Sequence, residues 1–102
     1  MKSITTATIE HLIELGRSRE LRKISPQETA ELFDSIDCLD IEELAELYAL
    51  LEIGKSERYE SFVGLSFKAR ELGFSLVEVI FEQDRLGSLL SKGYAIFRAK
   101  ST

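Results

Sequence analysis

The triplet Gly54-Lys55-Ser56 matches the end of the phosphate-binding loop Gly-x-x-x-x-Gly-Lys-[Ser/Thr], the nearest thing in this sequence to a nucleotide motif. That loop follows a strand, because a glycine-rich turn must wrap backbone amides around phosphates before a helix begins. Here Ala49 stands where the first glycine belongs, and the residues before it form a leucine-rich helical pattern. Gly54 is therefore expected to stop a helix, with Lys55 at its negative end and Ser56 capping the next. The single histidine, His11, lies beside Glu10 and Glu14 without a His-Glu-x-x-His or Glu-x-x-His spacing, so it reads as a surface or half-buried side chain. Cys38 lies between Asp37 and Asp40, whose negative field disfavours a thiolate, and reads as a small turn residue.

Asp34, Asp37, Asp40, Glu42, Glu43 and Glu46 lack the alternate ligands, central glycine and twelfth-position Glu of a calcium loop. They are expected to be a solvated helical face, with some acids capping helix starts. A catalytic reading would rest on Glu43 or Glu46 with Tyr48, and carboxylates do such work only in a cleft that tunes them. The chain accordingly reads as a non-enzyme with no cofactor and no metal. The run from Arg17 to Lys23 carries Arg17, Arg19, Arg22 and Lys23 against Glu20 alone, and could meet a nucleic acid or an acidic partner. No aromatic residue is interleaved to stack on bases. From Glu28 to Glu52, nine acids occur with no Lys or Arg. A helix-turn-helix reader built there would carry Glu42, Glu43, Glu46 and Glu52 towards phosphates.

Helices are needed to position these groups, and the sequence marks where they start. Ser25-Pro26-Gln27-Glu28, Asp40-Ile41-Glu42-Glu43 and Ser75-Leu76-Val77-Glu78 each read as a capping box, and Ser56 before Glu57 as a weaker one. Gly54, Gly73 and Gly93 are the expected stops. Apolar spacing predicts a first helix through Ile9, Leu12 and Ile13 to about Leu21, and a second through Leu32, Phe33 and Ile36. A third runs through Ile41, Leu44, Leu47, Tyr48 and Leu51. A fourth, from about Glu57 to Leu72, is apolar over most of its circumference and is expected to be central, with a close helix approach at Gly64. Residues 75–82 read as a short helix over a strand, and a last helix runs from near Asp84 toward Gly93. Phe62, Leu65, Phe67, Leu44, Leu47, Leu51 and Phe33 are the expected core.

Length and composition set the remaining bounds. With 102 residues, 44% hydrophobic and 30% charged, the chain reads as a single helical domain over residues 1–102. The fold class expected is all-α, a compact bundle of five or six short helices joined by tight turns. No apolar run approaches the roughly 20 residues of a membrane-spanning helix. Glu10 and His11 interrupt the N-terminal stretch before a secretory signal develops, and the single cysteine suits a reducing compartment, so the cytoplasm is expected.

The stretch Leu39-Asp40-Ile41-Glu42-Glu43-Leu44-Ala45-Glu46-Leu47-Tyr48-Ala49-Leu50-Leu51-Glu52-Ile53-Gly54-Lys55 resembles a family of small bacterial helical proteins, the domain of unknown function 3775. Phe67-Lys68-Ala69-Arg70-Glu71 and Leu86-Gly87-Ser88-Leu89-Leu90-Ser91-Lys92-Gly93 extend the resemblance over about the last two-thirds of the chain. Ser56 departs from it, standing where the family often has a second glycine. The resemblance implies a compact helical bacterial domain and assigns no activity to any residue. The function expected is a protein-interaction or small regulatory module, partnered by another protein or a second copy. The alternative is a nucleic-acid accessory protein using Arg17, Arg19, Arg22 and Lys23. The apolar residues Leu89, Leu90, Tyr94, Ile96 and Phe97 either fold back onto the core or leave a patch for a partner.

Overall fold

Two of the expected capping boxes form. In the computed structural model, which describes residues 3–21, 25–57 and 62–101, the Ser25 hydroxyl accepts from the Glu28 amide at 3.1 Å and the Glu28 carboxylate accepts from the Ser25 amide. Asp40 and Glu43 make the same exchange at 2.8 and 3.1 Å. These boxes open α2 (Pro26–Asp37) and α3 (Ile41–Ser56), after α1 (Thr6–Leu21). The order continues with α4 (Phe62–Ala69), a 3-10 turn (Arg70–Leu72), α5 (Ser75–Phe81) and α6 (Leu86–Ser101). The chain is thus an all-α bundle, with six helices and no strand among the described residues.

The third expected box does not form. Phe74, in helical conformation, precedes α5 without a side-chain cap. The Leu76 and Val77 amides instead donate to the Gly73 and Phe74 carbonyls at 3.1 Å, so the tight turn already satisfies them and the Ser75 hydroxyl is not required. Gly73, at φ 56°, ends the 3-10 turn as a glycine stop should.

The central helix is α3, not α4. Leu44, Leu47, Leu50, Leu51 and Ile53 are fully buried, and α4 and α6 lie against them. The acids of α3 obscure this in the sequence. Glu43 is used as a cap, and Glu46, far from belonging to a solvated face, is buried with Oε1 accepting from the Ser3 and Ile4 amides at 3.0 and 2.7 Å. Of the expected core, Leu44, Leu47, Leu51 and Phe62 are buried and Phe33 and Leu65 pack half-buried against them. Phe67 is exposed.

Gly54 and Gly93 do not stop helices, for both lie inside them. A methyl on Gly54 would overlap the Leu89 carbonyl oxygen and stand 3.2 Å from the Gly93 amide nitrogen. One on Gly93 would overlap the Leu50 carbonyl oxygen and stand 3.1 Å from that of Gly54. The two helices cross glycine on glycine. Gly16 of α1 and Gly87 of α6 do the same, a methyl on Gly16 standing 2.6 Å from the Gly87 amide nitrogen. Helix α6 is therefore seated on α1 near its start and on α3 further along, and this backbone contact outweighs the roughly 1 kcal/mol that glycine costs in a helix. The chain leaves α3 at Glu57 instead, in left-handed conformation, where its carboxylate meets the Lys92 ammonium. Ser56 is the last residue of α3, where its hydroxyl donates back to the Ile53 carbonyl at 3.2 Å; the residues it is expected to cap include 58–61, which lie outside the described ones.

Candidate interaction surface

Helix α4 has two unlike faces. Phe62 and Ala69 are buried, Phe62 lying 4.7 Å from the Phe97 ring, while Leu65 and Ser66 are half-buried. On the opposite arc Val63 is 77% exposed and Phe67, one turn on, 66%; in the turn beyond, Leu72 is 45% and Phe74 64% exposed. Between α4 and α3 runs a shallow groove lined by Glu42, Glu46, Phe62, Val63, Phe67 and Arg70 among others. Its polar groups are already engaged. The Arg70 guanidinium pairs with the Glu42 carboxylate, Ser66 Oγ donates to the Phe62 carbonyl at 3.0 Å, and Glu46 holds the Ser3 and Ile4 amides. What the groove offers is apolar contact, and it shows no arrangement of nucleophile and base.

The basic segment is divided by the fold. Arg17 is exposed, but Arg19 is not available to a phosphate backbone. Its Nη1 and Nη2 donate to the Phe81 and Gln83 carbonyls at 2.8 and 2.6 Å, with the guanidinium 5.2 Å above the Phe81 ring. Arg22 and Lys23 lie outside the described residues. Next along α1, Glu20 Oε2 accepts from the Ser88 amide and hydroxyl, each at 3.1 Å.

The C-terminal apolar residues lie against the core. Leu90 and Tyr94 are buried, and Leu89, Ile96 and Phe97 are half-buried beside them. The Tyr94 hydroxyl meets Thr6 Oγ1 at 3.0 Å. His11 is exposed, 3.9 Å from the Glu31 carboxylate, and Cys38 is an exposed thiol at the end of α2, with Sγ donating to the Ser35 carbonyl. Among the described residues no set of His, Cys, Asp and Glu converges as metal ligands would. Burial, with the Glu52 carboxylate one turn away, holds the Tyr48 phenol above its ordinary value. The tyrosine and acids considered for catalysis are thus each engaged within α3 or with the N-terminal amides.

Val63, Phe67 and Phe74 do not stand out in the sequence as surface residues, because a helix apolar nearly all round is normally one that its own chain buries. The signal was present but pointed to the wrong location. No helix among the described residues is long and apolar enough to cross a membrane. In comparisons with known proteins, no family model, curated protein or solved structure matches the chain.

Proposed function

We propose that the chain is a protein-interaction module and that the outer face of α4 is its contact surface. The observation that carries this reading is the exposure of Val63 and Phe67 on one side of a helix whose other side is already packed. Large apolar side chains scattered singly need no explanation, but Val63 and Phe67 one turn apart beside a groove, with Leu72 and Phe74 exposed in the turns that follow, mark a binding surface. The same proposal keeps the chain with the bacterial helical family it resembles. An exposed, single thiol at Cys38 agrees with a reducing, cytoplasmic setting.

The test is affinity capture from the native lysate with nuclease present, run side by side with wild type and Phe67→Glu. A protein retained by wild type and lost with the variant supports the reading. Equal retention by both, or retention that nuclease removes, overturns it.

A further inference from the structure

We infer that the occupant of the α4 face is a second copy of this chain, related by a two-fold axis; this rests on the interaction-surface reading above. The first support is area. At their observed exposures Val63 and Phe67 on α4, with Leu72 and Phe74 in the turns that follow it, expose roughly 400–500 Å² of apolar side chain in all. Doubled across a two-fold axis, that approaches the ~1,000 Å² total a specific interface requires, before the polar rim is added.

The second support is charge. The chain carries a net charge of −5, so two copies repel at most approaches. Among the described residues around this face, Glu42 and Arg70 neutralise one another, exposed Lys68 and Glu71 supply one charge of each sign, and the buried Glu46 carboxylate is turned to the Ser3 and Ile4 amides. Neither Lys68 nor Glu71 makes an ion pair among the described residues. An isologous interface must be complementary to itself. An apolar centre with an exposed cation and an exposed anion beside it meets that condition, and a strongly acidic surface does not.

Sedimentation equilibrium of the full chain from micromolar to millimolar concentration tests the inference. Wild type is expected to show a monomer–dimer equilibrium. Phe67→Glu should weaken it at least ~10-fold, the effect of burying an unpaired charge, while the melting temperature holds at concentrations where both proteins are monomeric. Lys68→Glu and Glu71→Lys should each weaken dimerisation, and their combination, which restores neutrality, should recover it. A wild-type monomer throughout the range overturns the inference, as does a dimer indifferent to Phe67→Glu. If the chain is monomeric and Phe67→Glu still abolishes capture of another protein, the interaction surface stands and only the second copy falls. If the variant changes neither measurement, both readings fall.

Discussion

Arg19 and Glu20 are neighbours in α1 that serve opposite ends of two other helices. The guanidinium satisfies carbonyls where α5 finishes, and the carboxylate satisfies an amide where α6 begins. Each charge therefore sits at the helix end whose dipole it complements, and together they fix the α5–α6 corner. Replacing Arg19 with Met keeps much of the stem but leaves two part-buried carbonyls without donors. The expected loss is about 1.5–3 kcal/mol, read as a lower urea midpoint at unchanged slope. Tyr48 gives a pH-dependent counterpart. Burial, then the hydrogen bond and negative charge of Glu52, hold its phenol above the ordinary value of 10.0. With the folded value above the unfolded one, its contribution is complete below the unfolded value and is lost as pH rises through the folded one. Tyr48→Phe should therefore remove a late phenolate step from the absorbance titration and flatten the alkaline fall in stability.

The helices differ in what their glycines do. Gly54→Ala or Gly93→Ala would drive a methyl into a backbone carbonyl that cannot swing away, and should cost more than about 2 kcal/mol in denaturant unfolding. Gly64→Ala, on the exposed side of α4, should instead leave stability unchanged or raise it by up to about 1 kcal/mol. Sequence pattern alone does not separate these glycines, since a helix stop and a helix crossing both place glycine after an apolar run. Caps were legible because their partners lie three residues apart, and the boxes at Ser25 and Asp40 formed as read. The crossings were not legible, because Gly16 meets Gly87 about seventy residues away and Gly54 meets Gly93 about forty away. For the same reason Arg19 read as part of a basic patch, since the carbonyls it binds are more than sixty residues away in sequence and carry no side-chain signature. The α4 surface was half legible. Its all-round apolar character is plain, but whether its own chain or another covers the outer face depends on how much of the core α3 has already filled.

For the molecule as a whole, the outer face of α4 separates fold from function. Phe67→Glu and Val63→Lys should each change unfolding free energy by no more than ~0.5 kcal/mol, because neither side chain is in the core. Coincident thermal melts of wild type and variants at low concentration check this, and a large drop would show that the face supports the fold itself. The seating of α6 has a further bearing, on the order in which the structure can be made. Helix α1 lies chiefly against α6 and α3 packs against both α4 and α6, and α6 leaves the ribosome after both α1 and α3. Until it emerges, the glycine faces of α1 and α3 lack the helix that covers them. The nascent chain must carry exposed apolar surface until α6 emerges, and the decisive closure joins segments about forty and seventy residues apart. Although all-helical, this bundle should fold with the long-range closure step of a higher-contact-order protein and rely on chaperone protection while it is being synthesised.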